Sequence, residues 1–161
     1  EALLTGERRL CTRGVFHMVA PRSSSDAPPL PPLRPAPTPE DDDRLAMAEM
    51  VFPDRTNHYG TLFAGDALSL LGKAAFITAT RRARKGVVMA ASERIDFVYP
   101  IRGGDMIELR CAVADTGRTS LKVEVELWSE QLLSGQRRRS AAAAFVMVAV
   151  DAGGRPTPLD A

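Results

Sequence analysis

Asn-His-Tyr-Gly-Thr-Leu-Phe-Ala-Gly-Asp-Ala-Leu, residues 57–68, sets a polar cluster and two glycines directly ahead of an apolar, helix-forming run. The pattern predicts a loop that delivers polar groups to a helix N-terminus. The first-turn N–H groups of a helix have no intrahelical partner and carry partial positive charge, so a carbonyl or anionic oxygen is welcome there. Gly60 and Gly65 would let a ligand approach that backbone closely. On local spacing alone a plainer reading stands beside this one, in which Asn57 and Thr61 merely cap an ordinary helix.

Outward from this stretch the periodicity is legible. Phe63 to about Arg82 reads as one long helix, with Leu68, Leu71, Ala75 and Ala79 at three- and four-residue spacing and Leu70 and Phe76 widening the stripe. Arg81, Arg82, Arg84 and Lys85 suit a helix C-terminus, and Gly86 is the expected stop. Upstream, Arg44 to Phe52 reads as a strand ending at Pro53. Downstream, Val87–Tyr99, Met106–Ala114, Ser120–Trp128 and Ala141–Val150 read as strands, with a turn at Gly103-Gly104-Asp105. In Ser120–Trp128, Leu121, Val123, Val125 and Leu127 alternate with Lys122, Glu124, Glu126 and Trp128, the mark of a half-buried antiparallel strand. Ala141–Val150 is continuously apolar and is expected to be central or buried on both faces. One strand, one long helix and then four strands predict an α+β fold, an antiparallel sheet of five to six strands wrapped around one central helix. A Rossmann arrangement would need alternating βαβ units, which this order lacks.

Composition bounds the rest. The chain has 161 residues, 45% hydrophobic, and 21 Lys+Arg against 20 Asp+Glu give a formal net charge of +1. That balance gives no electrostatic case for nucleic acid or a membrane surface as partner. No apolar run reaches bilayer length, so a soluble protein is expected. Cys11 and Cys111 support neither a disulfide framework nor a metal site, which makes a reducing cytoplasm the default. Eight of the twelve prolines fall within residues 21–39. Such a segment cannot bury enough apolar surface to offset its ordering entropy. Residues 1–43 are therefore expected to be a disordered Pro-rich tail, 44–152 the folded domain and 153–161 a flexible C-terminal tail. Residues 1–17 carry Arg8, Arg9 and Arg13, yet Glu1 and Glu7 argue against a targeting peptide, and Met18 is an alternative start.

Thr56 to Gly65 resembles the signature of the hotdog-fold acyl-CoA thioesterases. Met89–Phe97 with Pro100–Asp105 resembles that family's second strand and following turn, and Gly117–Val123 with Phe145–Asp151 resembles its last two strands. The resemblance covers residues 44–151 in order. It implies hydrolysis of acyl-CoA to a free acid and coenzyme A, without metal or organic cofactor. It also implies a side-by-side homodimer, commonly assembled into tetramers or hexamers, in which each helix N-terminus meets loops of the partner.

Candidate residues follow from that chemistry. N–H groups near Ala64, Gly65 and Asp66 could form an oxyanion hole, and Gly60, Ala64 and Gly65 are candidate substrate contacts. Asn57 and Asp66 are the expected reacting pair, with Thr61 as a hydrogen-bonding helper and Asp54, reached within the chain or from the partner, as the next acid. Ser92 and Glu93 lie on a strand that passes the substrate in the resembling family. Arg118, Thr119, Arg81 and Arg82 are candidate contacts for the CoA phosphates. Bland readings stand beside these: Asp66 as a dipole partner, His58 as a loop residue, and Arg137-Arg138-Arg139 as a solvated hairpin with CoA phosphates as its alternative contact. Relatives commonly carry an acid where this chain has Thr61, and others an acid where it has Gly72, so both usual carboxylates are missing. A hotdog protein that binds acyl-CoA as sensor or carrier is therefore the second reading. A dehydratase is the third, weakened because His58 is the only histidine in the domain.

Overall fold

The structure is a computed structural model that describes residues 1–17 and 45–159. The expected domain start at Arg44 and the Pro-rich stretch 18–43 lie outside the described residues. The elements in chain order are β1 (Leu45–Met50), a 3-10 turn (Pro53–Arg55), α1 (Ala64–Ala83), β2 (Gly86–Ser92), β3 (Asp96–Phe97), β4 (Met106–Thr116), β5 (Ser120–Gln131) and β6 (Gln136–Val150). The strands form one six-stranded sheet in the order β1-β4-β5-β6-β2, with β3 also on β6. Every pairing is antiparallel.

The alternation in β5 decides which face turns inward. Leu121, Val123, Val125 and Leu127 are all buried, as are Ile107, Leu109 and Cys111 of β4 and Ala141, Ala143, Phe145, Met147 and Ala149 of β6. Onto this face α1 lays Ala67, Leu70, Leu71, Ala74, Ala75 and Ala79, packing against β1, β2, β4, β5 and β6. The alanines let the helix sit close to the sheet. This is the expected α+β hotdog architecture, a sheet around one helix.

Several local readings change. Leu68 and Phe76 are 40% and 41% exposed. With Gly72 between them at four-residue spacing, they form the flank of α1 rather than its buried stripe. The stretch Val87–Tyr99 divides into β2, which carries a bulge between Met89 and Ala91, and β3; between them Glu93 to Ile95 lie outside the strands, although Glu93 N–H still donates to the Ala144 carbonyl at 2.9 Å. Arg84, not Gly86, ends the helix: it takes left-handed backbone angles (φ 51) and its N–H donates to the Thr80 carbonyl, while Gly86 opens β2. β6 is indeed flanked by strands on both sides, but only one of its faces is buried in this chain; Ala142, Ala144, Val146, Val148 and Val150 are half-exposed. At the C-terminal end, Pro156 bridges to Val150, Thr157 N–H donates to Ala149 and Leu159 N–H to Arg118. Residues 153–159, expected to be flexible, thus run back against β6 and the β4–β5 turn.

Candidate active site

The loop before α1 is organised by one side chain. Asn57 Oδ1 accepts from Tyr59 N–H (2.9 Å), Thr61 N–H (3.2 Å) and Thr61 Oγ1–H (3.1 Å). Gly60 turns the chain at φ 71, a region costly for residues with a Cβ. The loop then bonds to the segment before β4: Leu62 N–H donates to Ile101 (2.8 Å), Gly103 N–H to Gly60 (3.0 Å), and Thr61 bridges to Arg102. This arrangement separates the two local readings of Asn57. Its side chain ties up the loop and does not cap the helix, whose N-cap position is Phe63 with no side-chain cap.

The helix start is therefore open. Ala67 N–H donates to Phe63, but among the described residues the N–H groups of Ala64, Gly65 and Asp66 meet no acceptor. Ala64 and Gly65 are exposed, and a Cβ built on Gly65 would meet nothing within 4 Å. Three unpartnered donors thus open the helix just after the loop that Asn57 organises, an arrangement that suits a developing oxyanion. Asn57 adds a further donor. With Oδ1 engaged by three N–H and O–H groups, the amide Nδ2 is the end left for a ligand. Asn57 is consequently fitted to polarise a carbonyl and not to accept a proton from water.

Asp66 stands in the first turn, half-buried, with Oδ2 3.9 Å from Arg55 Nε. Arg55, from the 3-10 turn, is also bonded to Glu49. No sequence pattern singled out Arg55, because its link to Asp66 spans a turn and a loop. Asp54 is exposed. His58 is exposed as well, with its ring 3.9 Å from that of Tyr59. Ser92 ends β2 in an exposed position, and Glu93 is ion-paired to Lys122 at 2.7 Å.

The other expected residues are gathered at the opposite end. Arg81 and Arg82 lie in the last turn of α1, roughly 25 Å from its start at 1.5 Å per residue. Arg81 is held by the Glu1 carboxylate, which Arg84 also contacts at 3.1 Å. Those arginines hold the Glu1 carboxyl down at about 2. Arg118 and Thr119 form the β4–β5 turn, tied to Leu159 near the same helix end. One protomer therefore unites Asn57, Gly60, Thr61, Ala64, Gly65 and Asp66, and keeps Arg81, Arg82, Arg118 and Thr119 apart from them.

Comparison with known proteins bears on the fold and the family. The thioesterase superfamily matches residues 59–135. An uncharacterized acyl-CoA thioester hydrolase of Bacillus subtilis, YkhA, is 33% identical over 118 residues, covering 73% of this chain and 69% of its own length. Among solved structures, an acyl-CoA hydrolase of Agrobacterium tumefaciens is 45% identical with a TM-score of 0.69; the match covers 75% of this chain and 47% of that one, about half its length. An apo hexameric acyl-CoA thioesterase is 38% identical with a TM-score of 0.71, over 73% of this chain and 75% of that one. The chain belongs to the thioesterase superfamily, among its hotdog-fold acyl-CoA thioesterases.

Proposed function

We propose that the protein hydrolyses acyl-CoA to a free carboxylic acid and coenzyme A, with water as nucleophile. The observation that carries the reading is the uncapped start of α1, where three N–H groups have no acceptor among the described residues, directly after the loop held by Asn57. The thioester carbonyl oxygen would sit against the N–H groups of Ala64 and Gly65, with Asn57 Nδ2 as an added donor. Water then attacks the carbonyl carbon while Asp66 takes its proton. The tetrahedral oxyanion is held by the same donors, and its collapse expels the coenzyme A thiolate, which recovers the proton from Asp66. Thr61 keeps Asn57 oriented throughout.

The reading includes a homodimer or larger assembly acting in the cytoplasm. β2 offers an unpaired sheet edge with Val88 and Met89 48% and 45% exposed, and the relative matched above is hexameric. A second copy could bring its Gly117–Ser120 turn, with Arg118 and Thr119, to this helix start, and Ser92 lies at the end of the same edge strand.

A second reading, acyl-CoA binding without rapid turnover, is favoured by one observation: Asp66 is the only acid on α1, and Arg55 lies 3.9 Å from it. Release of free thiol from a panel of short-, long- and aromatic-acyl CoA substrates decides between them. Turnover of any member supports the hydrolase; saturable binding without thiol release supports the binding protein.

A further inference from the structure

The inner face of the sheet continues past the start of α1 and changes character there. Along β5 the inward series Leu121, Val123, Val125, Leu127 gives way to Ser129 and Gln131. Their register partners on β6 are Arg138 and Gln136, and paired residues share a face. With Pro100, Arg102 and Asp105 from the segment before β4, these residues line a cleft of about 300 Å³. The bulge between Leu127 and Trp128 shapes one wall. It places Ser140 opposite no single partner, buries its hydroxyl 2.8 Å from that of Ser129, and leaves its carbonyl to accept from Val98 N–H.

The groups in this cleft are mostly donors. Of the three consecutive arginines, Arg137 is paired with Glu108 and Arg139 with Glu126 at 2.9 Å. Arg138 has no carboxylate partner among the described residues; its guanidinium lies 5.7 Å from the centre of the Tyr99 ring. Arg102 likewise has no side-chain partner there, and its backbone N–H occupies Asp105 Oδ2 at 3.0 Å. Gln131 Oε1 accepts from Ser134, which leaves the Gln131 amide N–H₂ to donate. Two guanidinium groups and two amides thus face one carboxylate that is already engaged, the Ser129 hydroxyl being shared with Ser140. Such an excess of donors suits an anion with several acceptor oxygens.

We propose that this cleft binds a phosphate group through Arg102 and Arg138. Arg102 is bridged to Thr61 of the loop before α1, so the cleft adjoins the open helix start. A ligand seated at both would carry its phosphate at one end and its carbonyl at the other. That the phosphate belongs to acyl-CoA rests on the hydrolase reading; the anion site does not.

The full-length chain and its Arg102→Gln, Arg138→Gln and Arg139→Gln variants would be titrated calorimetrically with inorganic phosphate and with adenosine 3′,5′-bisphosphate. Hydrolysis of an acyl-CoA and of the matching acyl-N-acetylcysteamine thioester, which lacks phosphate, would be measured in parallel. The proposal expects anion binding to weaken about tenfold in the Arg102 and Arg138 variants and to be unchanged in Arg139→Gln. If the phosphate is the substrate's, KM rises similarly for acyl-CoA only. Binding of inorganic phosphate that needs both arginines, with KM unchanged, supports the site with a free phosphate as its ligand. No anion binding, or binding equally strong in all four proteins, overturns the proposal. The titrations keep their meaning in a protein that hydrolyses neither thioester.

Discussion

Asn57 joins two roles that substitution can separate. Asn57→Asp keeps an acceptor oxygen for Tyr59 and Thr61 but removes the amide donor. The expected outcome is an intact loop, read as an unchanged melting temperature, with kcat for acyl-CoA lower by roughly 10²-fold, the usual effect of losing one oxyanion donor. Asp66→Asn keeps size and dipole contact while removing the base; thiol release should fall by at least roughly 10²-fold with little change in KM. Turnover left intact in Asp66→Asn would remove Asp66 from the mechanism without touching the fold. Cys111 gives a prediction about pH. Burial pushes its thiol up from 9.0 to about 11, partly offset by the Thr78 hydroxyl. Between those values the unfolded chain has lost the proton and the folded one keeps it, so stability falls as pH rises through this window. Two units correspond to at most about 2–3 kcal/mol. Denaturant melts from pH 8 to 11 should show a shallower alkaline loss in Cys111→Val than in the parent.

Among the elements, α1 was largely legible because Leu71, Ala75 and Ala79 repeat on its buried side. Its end was not. Arg84 takes the left-handed conformation that glycine usually supplies, while its guanidinium bonds to the Leu3 carbonyl (2.8 Å) and to Glu1. Left-handed backbone costs a residue with a Cβ roughly 1 kcal/mol. Arg84→Gly should therefore stabilise the fold by up to about 1 kcal/mol in chemical denaturation, since the lost side-chain contacts are exposed. The strand alternation in β5 was equally legible, since period two survives any detail of packing. The break between β2 and β3 was not, because Val87–Tyr99 carries no glycine or proline where the ladder stops. The register against β6, from Ser92 opposite Phe145 to Asp96 opposite Ala142, decides it.

Across the whole molecule, β2 is one of the two sheet edges and α1's flank of Leu68, Gly72 and Phe76 lies exposed; a Cβ on Gly72 would reach 3.2 Å from Met89 Cε. Val88→Glu, a charge on that edge, should shift the assembly toward monomer in analytical ultracentrifugation and lower thiol release in parallel. A monomer that retained full activity would separate catalysis from assembly. The sequence by itself determined the element order, the inward face of β5 and the loop that ends at a helix N-terminus, because each follows from periodicity or from the residues of one short segment. Only the tertiary structure decided that Asn57 holds the loop with its oxygen and keeps its nitrogen free, that Arg55 stands by Asp66, and that Arg81, Arg82, Arg118 and Thr119 lie a helix length from the open N–H groups. The same holds for Arg138, which is one of three consecutive arginines in the sequence and becomes distinct only when register pairs it with Ser129. Those are contacts between segments far apart in sequence, fixed by strand register and helix packing, to which local pattern is blind.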